Sequence, residues 1–263
     1  MPRKKVWSDS TLTVKRSQPL RIDTVIPVHN EAKSIEATLC DFDSVVRRNT
    51  GAEIRFVVCE DGSSDGSAEL LRSLSDRLLI KLLSSSTRKG YSRAVIDGFR
   101  ATETDIVGFM DSDGQYDPND FARFLVEMEN SDFVIGYRDP RNDHWIRLIM
   151  SRAFGLVYGL LFPIPLKDPS CSYLLIKRGA LEKIFSGNVG ILKQGFWWEF
   201  NARAFAHGLK IKQVRISHRR RASGKSQVYR PSQVLKIGWQ HLRGLFALKR
   251  ELAALRASRP DTR

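Results

Sequence analysis

The chain has 263 residues, of which 42% are hydrophobic, and it carries a formal net charge of +14. This length fits one large domain or a domain with a tail. The three scattered cysteines, none in CxxC spacing, argue against a disulfide scaffold or a structural zinc site and indicate a reducing compartment. No stretch reaches the roughly 18–20 apolar residues that span a bilayer, so we expect no transmembrane helix.

The positive charge is concentrated near the C-terminus. Residues 1–200 contain 27 basic and 27 acidic side chains, whereas residues 201–263 contain 16 basic and two acidic ones. This placement indicates an anionic partner: phosphates, an anionic membrane or nucleic acid. We expect no nucleic acid, because no nucleic-acid-binding motif accompanies the charge. We predict a basic flexible arm over residues 1–20, a folded domain over 21–230, and a basic amphipathic helix and tail over 231–263.

Short apolar runs alternate with helical patterns in the first half of the chain. Strands are predicted at Ile22–Val28, Ile54–Cys59, Leu78–Leu83 and Asp105–Met110, and helices at Glu31–Arg48, Ser67–Arg77, Tyr91–Thr102 and Asn119–Glu129. This alternation predicts an α/β fold with a mostly parallel central sheet and helices on both faces. Ligands of such sheets bind beyond the carboxyl ends of the strands, so the polar residues at those ends are candidates for a site.

The alternation is less regular after residue 132. Strands are predicted at Phe133–Gly136, Tyr173–Lys177 and Lys210–Ser217, and helices at Trp145–Leu161, Phe196–His207 and Ser232–Arg256. In the last helix, apolar pairs recur at intervals of seven, beside a strip of cations: Leu235 and Leu242, Trp239 and Phe246, Leu245 and Leu252, with Lys236, Arg243 and Arg250. Such a helix packs on its own domain or lies in a membrane interface; we favour the membrane.

The first three strands lead into polar motifs. In VIPVHNE, Pro27 would remove a ladder hydrogen bond, so we expect the strand to break there and open toward a ligand. An ordinary loop with Asn30 as helix cap is the alternative.

In EDGSSDG, Glu60 and Asp61 are expected to point into a cleft and accept hydrogen bonds from a base or a ribose. In KGYSRA, Lys89 and a helix N-terminus would attract an anion, unless this is only a solvated basic turn.

The fourth strand runs into FMDSDGQYDP. Side chains two residues apart face the same way in extended backbone, so Asp111, Asp113 and Gln115 can converge as three oxygen ligands. Mg²⁺ or Mn²⁺ prefers such ligands and completes its shell with water and diphosphate oxygens. A calcium EF-hand loop is excluded because Gly114 stands fourth where the turn glycine should be sixth, and Ala122 stands twelfth instead of glutamate. A polar turn that caps the next helix is the alternative.

In sequence order, VIPVHNE, EDGSSDG, KGYSRA and MDSDGQYDP resemble the nucleotide-sugar half of inverting glycosyltransferases of family 2, which have the GT-A fold. The resemblance covers roughly residues 21–230 and is closest to dolichyl-phosphate mannosyltransferases and related polyprenyl-phosphate glycosyltransferases. It implies a nucleotide-sugar donor, a divalent metal and a lipid-phosphate acceptor. His29 stands where tyrosine is usual and Glu60 where aspartate is usual. Leu174 stands where those mannosyltransferases commonly carry arginine, so mannose and dolichol stay unassigned.

Segments of the second half resemble the acceptor site of these enzymes. GYR, which ends in Arg138, and the pair Arg147 and Ser151 resemble the segment whose arginine and serine hold phosphate; a spacing of four places that pair on one helix face. Asp168 lies in KDPS, which resembles the family's Asp-Pro-Thr loop. RASGKS (221–226) resembles the loop that closes over the diphosphate.

We therefore expect metal-dependent, inverting transfer of a single hexose from a nucleotide-diphosphate sugar (GDP-mannose or UDP-hexose) to a polyprenyl or dolichyl phosphate. Two alternatives stay open: the same fold acting on a sugar or other hydroxyl acceptor, and a non-catalytic basic binding protein that retains the fold. The predicted metal ligands are Asp111, Asp113 and Gln115, and the predicted catalytic residues are Asp113, Arg147, Asp168 and Arg221. The predicted substrate contacts are Pro27, His29, Glu31, Glu60, Asp61, Lys89, Asp111, Arg138, Ser151, Glu199 and Ser226.

Three acidic residues have more specific expected roles. Glu31, with Asp61, is expected to contact the nucleoside. Glu199, in FWWE, either belongs to a core helix and needs a buried partner, or lies near the sugar hydroxyls. We expect a peripheral protein on the cytoplasmic face of an anionic membrane, and a membrane-protein partner remains open.

Overall fold

The computed structural model describes residues 19–139, 145–192, 195–219 and 234–257; for residues 145–150, 234–237, 256 and 257 it describes the backbone only. The predicted arm lies almost wholly outside these ranges. In chain order the elements are β1 (Arg21–Val28), α1 (Ile35–Thr50), β2 (Glu53–Asp61), α2 (Ser67–Leu74), β3 (Ile80–Ser85), α3 (Tyr91–Arg100), β4 (Ile106–Phe109), α4 (Asp120–Met128), β5 (Phe133–Arg138), α5 (Trp145–Leu161), β6 (Leu174–Lys177), α6 (Arg178–Phe185), α7 (Phe196–Ala206), β7 (Ile211–Ile216) and α8 (Val234–Ala257).

The strands form one seven-stranded sheet in the order β3-β2-β1-β4-β6-β5-β7. All pairings are parallel except those of β6, which runs antiparallel between β4 and β5. Helices form two layers: α1 contacts α2 and α4, while Phe99 of α3 packs against Phe185 of α6 and stacks on Phe200 of α7. The predicted α/β fold with a mostly parallel sheet is confirmed. The short helix α6 was not predicted.

The core lies between the central strands and these helix layers. β1 and β2 read as nearly continuous apolar runs because both of their faces are covered. α3 approaches the β1–β2 pair so closely that a Cβ at Gly98 would lie 2.5 Å from Cys59 Sγ and 2.5 Å from Val25 Cγ1. A glycine is therefore needed at this helix–sheet contact.

Contrary to the sequence-based expectation, β1 does not break at Pro27. It stays paired with β2 as far as Val28, opposite Glu60. Its pairing with β4 ends at Val25, whose carbonyl accepts a hydrogen bond from Met110 N–H at 3.2 Å. Alternate residues of a strand face the same neighbour, so Pro27 faces the side on which β4 has already ended. Its missing N–H therefore costs no ladder bond.

α8 packs on the domain through one side only. Leu245 and Leu248 are fully buried and Leu252 is 5% exposed, in a second apolar cluster with residues of α5 and α7. Trp239 and Phe246 of the same helix are 63% and 54% exposed. The apolar residues of α8 thus divide into an inward side that packs on the domain and an outward side that is exposed. Within the described ranges, no helix has the length and apolar character needed to cross a bilayer.

Candidate functional site

The loops after β1 and β2 are joined at the carboxyl edge of the sheet. His29 donates from Nδ1 to the Asp61 carbonyl oxygen at 2.8 Å, and Asn30 N–H donates to Ser63 Oγ at 3.0 Å. Ser64 N–H in turn donates to Asn30 Oδ1 at 2.9 Å. Asn30 has a positive φ of 57°, a conformation in which asparagine is favoured among non-glycine residues. The predicted contacts His29 and Asp61 therefore lie side by side.

Glu60 is a buried carboxylate that holds the loop after β2 in place at this edge of the sheet. It is 3% exposed and accepts hydrogen bonds from Ser63 N–H at 2.5 Å and from Ser84 Oγ–H at 2.7 Å. Burial alone would raise the pKa of Glu60, but the hydrogen bonds outweigh burial and lower the pKa below its ordinary value. Glu60 is therefore ionised while its carboxylate organises the loop; contact with a nucleoside remains a prediction.

Asp61 fixes the loop that precedes α3. One carboxylate oxygen accepts from Lys89 N–H at 2.6 Å and the other from Gly90 N–H at 2.9 Å. The close approach of this loop requires Gly62, which has a φ of +65° and whose Cβ would lie 2.8 Å from backbone atoms of the facing loop. The Lys89 ammonium lies 3.4 Å from Asp97 and its side chain is half exposed. Lys89 thus lies at the start of α3 beside Asp97; anion binding there stays a prediction.

Asp111 is held from both sides by hydroxyl groups. Its Oδ1 accepts from Tyr91 Oη–H at 3.0 Å, and its Oδ2 accepts from Ser172 Oγ–H at 2.5 Å. Tyr116 Oη lies 3.5 Å from the same Oδ2 and 2.6 Å from Ser172 Oγ. Trp197 donates its indole N–H to Tyr91 Oη at 2.9 Å. Tyr91, Tyr116 and Ser172 thus surround this one carboxylate, and Trp197 supports it through Tyr91.

Asp113 and Gln115 form a turn that is tied to the segment after β7. Asp113 Oδ1 accepts from Gln115 N–H at 3.2 Å. Gln115 then exchanges two hydrogen bonds with Arg219: its carbonyl accepts from Arg219 N–H at 2.8 Å, and its side-chain amide donates to the Arg219 carbonyl at 3.2 Å. An isolated bridge pairs Tyr116 with His218. The turn is thus paired with residues 218 and 219, the last described residues of the segment after β7.

The donor set at this turn fits a hard divalent cation. Among the described residues, the side chains within hydrogen-bonding distance of Asp111 are the neutral hydroxyls of Tyr91 and Ser172 and, at 3.5 Å, that of Tyr116, so no basic side chain compensates its carboxylate. A partly buried carboxylate of this kind favours a positive partner. No group of three or more His, Cys, Asp or Glu side chains in the described ranges is arranged to hold a metal. A metal at Asp111 and Asp113 would therefore draw most of its ligands from water and diphosphate oxygens, as Mg²⁺ commonly does.

Arg138 and Asp168, predicted as a substrate contact and a catalytic residue, form a buried ion pair. Arg138 Nε lies 2.7 Å from Asp168 Oδ2, and its Nη2 lies 3.0 Å from Asp168 Oδ1 and 2.8 Å from Ser170 Oγ. Burial would lower the pKa of Arg138, but the hydrogen bonds to Asp168 outweigh burial and raise it. The pair joins the end of β5 to the KDPS loop.

Glu199 is fully buried and has the partner that a buried acid requires. It accepts hydrogen bonds from Gly190 N–H at 3.0 Å, from Leu192 N–H at 2.8 Å and from Arg203 Nε–H at 2.9 Å. Arg203 also reaches Glu251 of α8 at 2.9 Å. Glu199 therefore ties α7 to the loop before it and, through Arg203, to α8.

The other predicted residues are less closely defined. Glu31 accepts a hydrogen bond from Ser34 Oγ–H at 2.9 Å beside the loop of β1. Arg147 and Ser151 lie one turn apart in α5, where the side chain of Arg147 is outside the described part of the chain. Arg221 and Ser226 also lie outside the described residues. Their roles stay predictions.

Sequence reasoning missed the residues that support Asp111. Tyr91 lies in the quoted KGYSRA motif, but its hydroxyl was given no role. Ser172 lies 61 residues from Asp111 and Trp197 lies 106 residues from Tyr91. The antiparallel insertion of β6 beside β4 brings Ser172 to the site. The only available signal was the polar SCS run before β6, which fixes no partner.

Comparisons with known proteins agree with this architecture. Residues 23–185 match the sequence profile described as Glycosyl transferase family 2. The chain is 26% identical over 179 residues to the dolichol-phosphate mannosyltransferase of Pyrococcus furiosus, covering 65% of this chain and 50% of the relative. It is 27% identical over 219 residues to the undecaprenyl-phosphate mannosyltransferase of Micrococcus luteus, covering 80% of this chain and 88% of the relative. The chain thus spans half the length of the Pyrococcus protein.

A solved structure gives the same fold at low sequence identity. The glucosyl-3-phosphoglycerate synthase of Mycobacterium tuberculosis, in complex with Mg²⁺ and UDP, superposes with a TM-score of 0.58 at 19% identity, over 87% of this chain and 79% of that chain. The expected GT-A fold is confirmed by this likeness. Since the family profile extends over more than half of the sequence and includes the strand-end motifs around Asp61 and Asp111, the chain belongs to glycosyl transferase family 2.

Proposed function

We propose that the protein transfers a single hexose, with inversion, from a nucleotide-diphosphate sugar to a polyprenyl phosphate. Apart from the predicted metal ligands, Asp168 and Glu199 are the best candidates for a general base. The observation that carries the choice of acceptor is that both are paired: Asp168 with buried Arg138, and Glu199 with buried Arg203. A hydroxyl nucleophile must lose a proton to a base. A phosphate monoester is already largely anionic at neutral pH, since its second pKa is about 6, and needs none.

The names of the relatives support the same acceptor class. Both the Pyrococcus furiosus and the Micrococcus luteus proteins are named as mannosyltransferases that act with a polyprenyl phosphate, dolichol phosphate in one and undecaprenyl phosphate in the other. The Micrococcus relative is matched over 88% of its length, so the likeness extends beyond the donor half. GDP-mannose and UDP-hexoses remain the candidate donors.

On the donor side, Asp111 and Asp113 would hold Mg²⁺ or Mn²⁺, with Gln115 as the predicted third ligand. When bound, the metal would neutralise the charge that develops on the departing diphosphate. Glu31 and Asp61, at the ends of β1 and β2, would lie at the nucleoside, and the half-exposed Lys89 would attract phosphate.

On the acceptor side, Arg147 and Ser151 would dock the lipid phosphate from one face of α5, and Arg221 and Ser226 would close over the diphosphate. An attacking phosphate oxygen needs correct alignment with the anomeric carbon more than it needs proton transfer. Inversion follows if this oxygen attacks from the face opposite the diphosphate. Arg138 would contribute by bracing the KDPS loop through Asp168.

We place the protein on a membrane surface, where its acceptor is. Two neighbouring helices expose large apolar side chains in the described part of the chain: Leu156 and Leu160 of α5 are 73% and 85% exposed, and Trp239 and Phe246 of α8 are 63% and 54% exposed. Arg243 and Arg250 are exposed on α8, which suits anionic lipid headgroups. The free thiols of all three cysteines fit the cytoplasmic face. A membrane-protein partner on the same surface would be an alternative occupant.

The decisive experiment is transfer of radiolabelled hexose from UDP- and GDP-sugars to undecaprenyl phosphate in lipid vesicles. We expect butanol-extractable label with one donor, loss of turnover in EDTA, and recovery with Mn²⁺ or Mg²⁺. Asp113→Ala should abolish transfer and leave the melting temperature close to that of the wild type. Transfer to a sugar hydroxyl but not to the lipid phosphate would contradict the proposed acceptor, and full turnover in EDTA would contradict the metal role.

A further inference from the structure

Trp197 and Tyr91 form a hydrogen-bonded chain with a fixed direction. The indole N–H is a donor only, so Tyr91 Oη must accept the 2.9 Å hydrogen bond from Trp197. The single proton of Tyr91 is then directed to Asp111 Oδ1 at 3.0 Å. Trp197 is 7% exposed, and its ring packs on Phe109, the last residue of β4, at a centroid distance of 4.4 Å. Its donor atom is therefore held in place by core packing.

A second chain with a fixed direction reaches the other carboxylate oxygen. Ser172 Oγ lies 2.5 Å from Asp111 Oδ2, and an ionised carboxylate can only accept. Ser172 has one hydroxyl proton and gives it to Asp111, so Tyr116 must donate to Ser172 Oγ across their 2.6 Å contact. Tyr116 is 8% exposed and stacks on Tyr173 at a centroid distance of 4.8 Å. Core packing again fixes the outer member of the chain.

We infer that Trp197 and Tyr91 on one side, and Tyr116 and Ser172 on the other, are positioning residues that orient the Asp111 carboxylate for a divalent cation. This inference rests on the proposed metal role of Asp111. Each chain ends on a different oxygen and uses one lone pair of it. Tyr116 lies 3.5 Å from Oδ2 but gives its only proton to Ser172, so each oxygen keeps a further lone pair for the metal. The donors are neutral, so they orient the carboxylate and leave its charge to attract the cation.

The arrangement predicts a specific pattern of metal affinities. Removing partners that orient a metal ligand commonly weakens metal affinity by about 10–100-fold, and we expect this for Tyr91→Phe and for Ser172→Ala. Trp197→Phe keeps an aromatic ring against Phe109 but removes the indole donor, so its effect should be smaller. Because Trp197 acts through Tyr91, the double variant Trp197→Phe/Tyr91→Phe should bind the metal no more weakly than Tyr91→Phe alone.

Trp198 provides a matched control on the same helix. Its side chain packs on Phe154 and Tyr158 in the second apolar cluster. Trp198→Phe changes the same residue type at the neighbouring position but does not touch the Asp111 network. It should leave metal affinity within about twofold of the wild type, the scatter expected for an uncoupled site.

The test is a Mn²⁺ titration of the full chain, followed by the electron paramagnetic resonance signal of free Mn²⁺, in the presence of UDP and, separately, GDP. Thermal melts establish that each variant is folded, and if Trp197→Phe does not fold, Tyr91→Phe and Ser172→Ala still decide. Unchanged Mn²⁺ affinity in both of these variants, or additive effects of Trp197→Phe and Tyr91→Phe, would overturn the inference while leaving the proposed function intact. A wild-type chain that binds no Mn²⁺ with either nucleotide overturns both.

Discussion

Arg138 and Asp168 face each other in a bidentate ion pair, with N–O distances of 2.7 and 3.0 Å and only 5% of each side chain exposed. Removing one partner of such a pair leaves an unbalanced buried charge, which costs about 3–5 kcal/mol. We therefore expect Asp168→Asn to lower the free energy of unfolding by about this amount, measured by urea denaturation. Asp139→Asn is the control, because Asp139 forms an exposed pair with Arg215, and its effect should be below about 1 kcal/mol. An Asp168→Asn protein as stable as the wild type would contradict the described pair.

The acceptor chemistry predicts an asymmetry in turnover with undecaprenyl phosphate. Arg147→Ala should reduce turnover by about three orders of magnitude or more, since it loses a charge-assisted phosphate contact and the positioning it provides. Asp168→Asn, corrected for the folded fraction, should lose about tenfold to a hundredfold, because it disturbs orientation and removes no proton acceptor. Arg152→Ala, an exposed cation on the same helix, is the matched control and should retain near wild-type turnover. An inactive Asp168→Asn beside an active Arg147→Ala would instead favour a hydroxyl acceptor.

Asp23 should make stability depend on pH in the acidic range. It is fully buried in β1, and burial alone would raise its pKa, but hydrogen bonds from Arg55 and from the backbone N–H groups of Glu103 and Thr104 lower the pKa below its ordinary value of 3.8. A carboxyl whose pKa is lower in the folded state stabilises the fold above its unfolded pKa, and this contribution is lost as the pH falls through the folded pKa.

Urea denaturation at a series of pH values from about 6 to about 2.5, which begins above the ordinary pKa and ends below it, measures this dependence. The wild type should lose stability as the pH falls below 3.8. Asp23→Asn should be less stable at pH 6 and show a smaller loss toward low pH, because its amide does not titrate. Parallel pH curves for wild type and variant would show that other carboxyls account for the dependence.

Alanine substitutions at Gly62 and Gly66 can be compared to distinguish the effect of a close loop contact from the effect of backbone strain. Both have positive φ, +65° and +88°, but a Cβ at Gly62 would lie 2.8 Å from backbone atoms of the loop before α3, whereas a Cβ at Gly66 meets nothing within 4 Å. Gly66→Ala should therefore cost only the conformational strain, about 1–2 kcal/mol. Gly62→Ala should cost more, about 2–3 kcal/mol, and should weaken nucleotide binding by displacing the N–H groups that Asp61 holds. If Gly62→Ala and Gly66→Ala lower the free energy of unfolding equally, the loop before α3 moves away from the added Cβ at no energetic cost.

The edge of the sheet that carries the candidate site was predictable because parallel strands bring their carboxyl ends together. This placed His29, Asp61 and Asp111 at one edge from the sequence motifs alone. The partners of the acids were not predictable: Asp168 meets Arg138 across 30 residues, and Ser172 meets Asp111 only because β6 inserts antiparallel between β4 and β5. Neither strand order nor such pairings leave a periodic signal in the sequence. The break expected at Pro27 was wrong. Whether its missing N–H costs a hydrogen bond depends on how far the neighbouring strand extends, and that length follows from the assembled sheet and cannot be read from the local sequence.

The outward side of α8 should mediate binding to anionic vesicles. Trp239 and Phe246 lie seven residues apart and hence on one helix face, opposite the buried Leu245 and Leu248. Transfer of a large apolar side chain out of water contributes about 1.5–3 kcal/mol, so Trp239→Ser/Phe246→Ser should weaken vesicle binding by at least about tenfold. Flotation with phosphatidylglycerol vesicles at low salt measures this. Deletion of residues 232–263 is a poorer test, because it would also strip the inward leucines from the second apolar cluster.

The control for this prediction removes equally exposed apolar side chains elsewhere. Leu79 and Val126 are 48% and 55% exposed and lie outside α5 and α8, so Leu79→Ser/Val126→Ser should float with vesicles like the wild type. Because Arg243 and Arg250 lie exposed beside the apolar pair on α8, wild-type binding should also fall as salt is raised from about 0.05 to 0.5 M, as screening shortens the reach of the charges. If Trp239→Ser/Phe246→Ser floats as well as the control and binding does not respond to salt, α8 serves only to pack on α5 and α7, and the lipid acceptor must reach the site from another face.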